Sequence, residues 1–393
     1  MGNVTINIAN GQLGAALATE DGVVGMVLTG AGSATMDTPV LYTSLAAAVN
    51  DGITLADEPF VYRQVKDFFY VAGTGSKLYL LLRSADHSIG EISYQGNVAS
   101  CEALLDYAAG RIKLLGIMTN DAAVATASGD ATTIDGGLNE LVYNAITNVS
   151  VIAETYAAAQ KPFRCVIGGT SYSGVAGDLT DITTYTKNRV SVLIGDTQSG
   201  DQASLGLLMG WLAKLPVQRK ISRVLNGSLP ITTAFLGTDD MAALPDVGAP
   251  GTIETNGFIT FKTYPGLAGY YFSSDPTASH TNDDFHALAR GRIIDKVQRL
   301  AYQTFVLDLD DEVPVNDDGT IDEIYRARLQ QDIINQLTVS MVAKKEVKAV
   351  TAYIDPAQNV IANETVEISV SITPYGYSKT IIVNLGFRNP ALV

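Results

Sequence analysis

Between residues 23 and 215 short apolar runs alternate with longer amphipathic segments, and this alternation constrains the fold more than any other feature. The runs at 23–28, 77–82, 112–118, 163–167 and 189–194 read as buried strands. Between them, 58–71 carries Val61, Val65, Phe68 and Phe69 on one helical face, and 137–159 carries Leu138, Leu141, Val142, Ala145, Ile146 and Val149 on another. Segments 100–108, opened by Ser100, and 204–215 read as two further helices. A strand followed by a helix, repeated, predicts an α/β domain: a doubly wound, mostly parallel sheet with helices on both faces.

The pattern changes after Pro216. Short extended runs at 258–261 and 269–272 are broken by Pro and Gly. Residues 286–305 and 321–342 read as long helices separated by the acidic stretch 308–318. The second is expected to turn Ile324, Leu329, Ile333, Ile334 and Leu337 inward, with Asp318 or Thr320 as its cap and Asp322 and Glu323 in its first turn. Alternating strands at 347–354 and 364–372 follow, which makes the C-terminal domain α+β. At both ends lies a β-branched run behind glycines or a Pro-Gly break: Val4, Ile6 and Ile8 before Gly11, and Thr380, Ile381, Ile382, Val383 and Leu385 after Gly376. These are extended β-strand arms with no sequence-adjacent strand to pair with. Each must close its own sheet or join the sheet edge of another copy. The expected organisation is an N-terminal arm (1–16), an α/β domain (17–216), an α+β domain (217–378) and a C-terminal arm (379–393).

Composition removes several classes of function. A formal net charge of −15 disfavours nucleic acid as the main partner. No uncharged apolar stretch reaches the length of a membrane span, so no membrane insertion is expected, and the start has neither the basic nor the apolar region of a secretory signal. Cys101 and Cys165 sit in apolar surroundings and read as buried free thiols of a chain folded in a reducing cytoplasm.

No motif specifies catalysis, and the expected catalytic, cofactor and metal residues are none. There is no Gly-Lys-Ser or Gly-Lys-Thr. The glycines at 73–75 follow a helix and precede a strand, the reverse of a phosphate loop, and read as a helix C-cap. The glycine-rich stretch 168–174 sits where a nucleophile elbow would, but Ser173 stands where the second glycine belongs. With His280 and His286 downstream, an α/β hydrolase using Ser171 or Ser173 remains the alternative. Three histidines and two cysteines without ligand spacing give no zinc site. The acidic run at 316–322 fails the calcium-loop pattern, because Pro314 and Tyr325 occupy its first and twelfth positions.

The order of elements from residue 286 onward resembles contractile tail sheath proteins, the subunits that surround the tube of contractile phages, tailocins and injection systems. That order is a helix containing Arg290, Gly291 and Arg292, an acidic loop, a second helix, two strands and a free C-terminal strand. The helix-glycine-strand passage from Glu58 to Arg83 is similar to the family's approach to its outer domain. The resemblance implies a self-polymer of stacked hexameric rings around an inner tube protein, with baseplate and tail terminator proteins at its ends. It implies assembly in the bacterial cytoplasm and contraction from a metastable state without ATP. Residues 17–216 would then be the outer domain and 217–378 the inner, tube-facing one. The arms would complete a shared sheet in neighbouring copies. Arg326, Arg328, Lys344, Lys345 and Lys348, a local basic cluster in an acidic chain, would face the tube. Another lattice-forming protein, a surface-layer or capsid-like subunit, is the second alternative.

Overall fold

The computed structural model describes residues 20–383 apart from 31, 33, 130 and 243–248. The expected arm residues Val4, Ile6, Ile8 and Leu385 lie outside the described residues. The chain forms two compact units, Met1–Leu307 and Asp308–Val393.

The first unit is built on a six-stranded mixed sheet. In chain order its strands are β1 (Val24–Gly30), β2 (Val40–Tyr42), β3 (Leu78–Ser84), β4 (Leu114–Met118), β5 (Arg164–Gly168) and β6 (Val190–Leu193). Their spatial order is β2-β3-β1-β4-β5-β6, and only β2, at one edge, runs antiparallel. All seven residues of β1 and all five of β4 and of β5 are buried, so both faces of the sheet centre are covered. The covering helices are α1 (Leu45–Asn50), α2 (Pro59–Ala72), α3 (Ile89–Ser93), α4 (Glu102–Ala108), α5 (Asp121–Ser128), α6 (Glu140–Ala158) and α7 (Leu205–Lys214).

Helices α2 and α7 cross at very short range because α7 has glycines where it meets its partner. A Cβ on Gly206 would lie 1.9 Å from the Gln64 carbonyl oxygen, and one on Gly210 would lie 2.7 Å from that of Phe68. Gln64, fully buried on α2, fastens the crossing. Its amide donates to Ala203 O (3.1 Å), and its carbonyl accepts from Gly206 N (2.7 Å).

The first unit does not end at 216 as the sequence suggested. The edge strand β6 is buried along its whole length and needs a cover, and residues 217–307 supply it. Ile259 N donates to Val192 O and Ile194 N to Ile259 O, both at 2.8 Å, and Asp196 and Phe235 exchange backbone bonds. The hairpin β7 (Phe261–Tyr264) and β8 (Leu267–Phe272) continues this cover, with α8 (Ala249–Thr255) before it in sequence and α9 (Leu288–Phe305) after it. Arg164, at the start of β5, reaches α9. Its Nε and Nη2 bind the Asp295 carboxylate at 2.7 and 2.9 Å, while Nη1 and Nη2 donate to the carbonyls of Asn188 and Gly291. Arg189 adds a second cation to Asp295 at 3.0 Å.

The second unit is small. Helix α10 (Glu323–Leu337) is followed by a π turn (Thr338–Val342), the strand β9 (Ala349–Tyr353), the short helix α11 (Val360–Asn363) and the strand β10 (Ser369–Thr373). The cap of α10 is Asp322, whose carboxylate accepts from the backbone of Ile324 and Tyr325, both at 2.9 Å. Asp318 instead closes its own turn on Thr320. The buried stripe is Leu329, Ile333, Leu337 and Met341. Ile324, expected inward, is 82% exposed, because five residues before Leu329 places it about 140° around the helix from that stripe.

Candidate assembly surfaces

Strands β9 and β10 form an antiparallel ribbon with Ala349 opposite Thr373 and Tyr353 opposite Ser369. Both strands alternate exposed and half-buried residues. The half-buried pairs, Val350 with Ile372 and Ala352 with Val370, share one face. The opposite face presents Thr351, Tyr353, Ser369 and Ser371 to solvent. Among the described residues no third strand joins this ribbon. A two-stranded ribbon is at best marginally stable alone and has two edges able to accept a further strand.

The chain leaves β10 through 374–378 and reaches the C-terminal arm residues without regular secondary structure. Thr380 is exposed, and Ile381, Ile382 and Val383 are 77%, 80% and 68% exposed. Three consecutive β-branched apolar side chains left in water forgo about 1.5–3 kcal/mol each that burial would supply.

The basic residues do not form one outward cluster. Arg328 is bound within its own unit. It contacts Asp308 at 3.0 Å and Asp332 at 3.3 Å and lies over the Tyr325 ring. Arg326, on the same helix, is half-buried. Lys344, Lys345 and Lys348 follow the π turn and are exposed, with Lys345 in the left-handed region at φ 58°.

The stretch 168–174 is not arranged as a hydrolase centre. Ser171 is buried, and its hydroxyl donates to Asp121 Oδ2 at 2.8 Å. The same carboxylate accepts from Thr170 (2.6 Å), Asn139 (2.9 Å) and Thr119 (2.8 Å). Asp121 thus ties together the C-terminal ends of β4 and β5 and the start of α6. The histidine segment lies at the other end of the strands. Asp283, whose carbonyl contacts His286, accepts from Asn188 just before β6, and Ala278 and Ser279 pair with 186–187. Serine and histidine are separated by the length of β5, about 13 Å at 3.3 Å per residue, so no triad can form.

Beside Asp121 is a cavity of about 460 Å³ lined by Asp86, Glu91, Thr119, Asn139 and Glu140 among others. Its carboxylates lie near the starts of α3, α5 and α6, where they complement the helix dipoles. Ser88 and Glu91 form a capping box there. Among the described residues no group of three or more His, Cys, Asp or Glu could hold a metal ion, and no helix is long and apolar enough to cross a membrane. Both cysteines are buried and free. Burial pushes the Cys101 thiol up to about 12 and Cys165 well above its ordinary value.

The fold is that of contractile tail sheath proteins. A chain of the anti-feeding prophage (AFP) baseplate aligns over 99% of this chain and 99% of its own, at TM-score 0.63 and 14% identity. The AFP helical sheath in its contracted state aligns over 98% of both chains, at TM-score 0.60 and 14% identity. The PVC sheath complex of an extracellular contractile injection system, also contracted, aligns over 98% of this chain and 97% of its own, at TM-score 0.62 and 14% identity. No curated protein sequence matches significantly. Models described as DUF2586, N-terminal domain, and DUF2586, C-terminal domain, match residues 1–275 and 284–392, and the chain belongs to the DUF2586 family.

Proposed function

We propose that this chain is the structural, non-enzymatic subunit of a contractile sheath. It polymerises as stacked hexameric rings around an inner tube and drives that tube through a target envelope by passing from a metastable extended state to a compact one. The observation that carries this reading is the shared fold along almost the whole chain with two contracted sheaths.

The linking device is strand exchange. Thr380, Ile381, Ile382, Val383 and Leu385 of one copy, and Val4, Ile6 and Ile8 of another, add to the β9–β10 ribbon of a third. The exposed apolar triplet and the two-stranded ribbon support this, since each lacks what the other offers. Each backbone bond of an added strand contributes about 1 kcal/mol net, and the buried triplet adds to that. Such linking arms keep copies joined while the units rotate, the form a two-state contraction requires.

Lys344, Lys345 and Lys348, with Arg326 and Arg328 on the preceding helix, face the tube. Exposed ion pairs are individually weak, which suits a contact that must break. The baseplate and a terminator bind the polymer ends, and assembly takes place in the bacterial cytoplasm as part of a phage tail or injection particle.

The test is the double variant Ile381→Asp and Ile382→Asp. It should abolish high-mass species in sedimentation velocity while leaving the circular dichroism spectrum unchanged. Polymers of normal size in the variant would refute strand exchange through this arm.

A further inference from the structure

The described residues open with one turn, Glu20–Gly22, which leads into β1, an inner strand of the sheet. Three separate contacts hold that turn. Asp21 Oδ2 lies 2.7 Å from Lys296 Nζ and Oδ1 lies 2.5 Å from Arg299 Nη2, both on α9. Gly22 sits against the end of α7 so tightly that a Cβ there would be 2.3 Å from Ala213 O. Val23 O accepts from Lys113 N (3.0 Å) and Leu114 N (3.3 Å) at the start of β4. The same part of α9 holds α7 as well, since Arg292 Nη2 donates to the carbonyls of Leu212 (3.2 Å) and Leu215 (3.0 Å).

This cluster is built for strength. Lys296 and Arg299 are three residues apart and so lie on one helix face. Burial alone would raise the Asp21 carboxyl, but the Lys296 hydrogen bond and the charges of Lys296, Arg299 and Arg292 hold it below the ordinary carboxylate range. The partners are only 8–14% exposed, so bulk salt screens them little. Charge-assisted bonds of this kind are about twice as strong as neutral ones. Helix α9 runs to Phe305, and the unit ends at Leu307. The turn ahead of β1 is therefore tied directly to the last helix of the unit.

We propose that Asp21, Lys296 and Arg299 form an ionic clamp that carries tension from the N-terminal segment into α9. Without it, a pull on residue 20 would peel the turn off α7 and fall on Val23 and the hydrogen bonds of β1. With it, the sheet core is bypassed. The use of the clamp in a sheath rests on the reading that the N-terminal segment links copies, but the coupling itself belongs to the single chain.

The experiment is constant-force pulling on the full chain, with one handle at the N-terminus and one on Leu307→Cys, an almost fully exposed position. Cys101 and Cys165 are buried and do not compete for the handle. Asp21→Asn should shorten the lifetime of the first rupture about tenfold or more at a fixed load. Arg299→Gln, which leaves Lys296 in place, should give a smaller loss and serves if the first variant does not fold. With handles on Val98→Cys and Leu225→Cys, both exposed, neither the turn at 20–22 nor α9 lies between the attachment points, and Asp21→Asn should change nothing. Equal lifetimes for wild type and variants in the first geometry would overturn the proposal. So would an equal loss in both geometries, which would mark the cluster as a general stabiliser. Because single chains are pulled, a failure of sheath assembly elsewhere would not alter either outcome.

Discussion

Gly291→Ala separates two physical arguments by sign. Helix propensity alone says that alanine inside α9 should stabilise by about 1 kcal/mol. The structure says the opposite. A Cβ at 291 would lie 2.4 Å from Arg164 Cζ and 2.6 and 2.7 Å from its Nη1 and Nε. Carbon atoms in contact need about 3.5 Å, so the guanidinium must retreat by about 1 Å. That retreat breaks the 2.7 and 2.9 Å bonds to Asp295 and leaves a charge pair unmatched where Arg164 is 1% exposed. Breaking a buried pair costs about 3–5 kcal/mol, and the propensity gain offsets only part of it, so a net loss of about 2–4 kcal/mol is expected. Urea unfolding followed by fluorescence reads this directly, since the single tryptophan, Trp211, is buried in the first unit. The control is Gly251→Ala in α8, where nothing lies within 4 Å and a gain of about 0.5–1 kcal/mol is expected. A neutral or stabilising Gly291→Ala would refute the claim that glycine is there to admit Arg164.

Other predictions concern separate parts of the molecule. Burial pushes the Asp67 carboxyl up to about 6 from an ordinary 3.8, with Asp196 adding to the effect and Arg63 and Lys66 opposing it. An acid raised in the folded state binds its proton more readily there than when unfolded, so stability should fall as pH rises from about 4 to about 6 and stay flat above. That displacement corresponds to at most about 3 kcal/mol, reduced to about 1–2 at this half-buried site. Asp67→Asn should therefore raise the urea midpoint at pH 7 and remove that slope, and an unchanged slope would contradict it. Asp322→Ala should cost the second unit about 1 kcal/mol, read as faster amide exchange across 323–327, whereas Asp318→Ala should leave that exchange unaltered. The double variant Lys344→Glu and Lys345→Glu should fold normally yet lose association with a co-expressed tube protein, and normal pull-down would remove those lysines from the contact.

Much of the fold was legible in the sequence because buried parallel strands and long amphipathic helices carry their own periodicity. β4 is an uninterrupted apolar run, β3 opens with five apolar residues, and α6 repeats its apolar face along nineteen residues. Elements without such a signal were missed. β2 is three residues at an edge, and α5 is an Ala-, Ser- and Thr-rich helix with one buried residue. The boundary at 216 was misplaced because a change of pattern, from helices to short strands, was read as a change of unit. What joins 217–307 to the sheet is pairing at the β6 edge and the union of Arg164 with Asp295, residues 131 apart. A lone arginine in an apolar run does not announce such a partner. Arg290, Gly291 and Arg292 stood out as a pattern, but their reason needs Arg164. The apolar run at 380–383 reads as a strand in the sequence, whereas in the structure these residues are exposed and take no regular secondary structure. The basic cluster was overcounted, since sequence spacing could not show that Asp308 and Asp332 take up Arg328.

The central claim, self-assembly through the C-terminal arm, is tested most directly by negative-stain electron microscopy of the purified chain with and without residues 379–393. The account predicts long hollow tubes with ring striations for the full chain and dispersed particles of unchanged fold for the truncation. Compact particles in both samples, across protein concentration and salt, would contradict it.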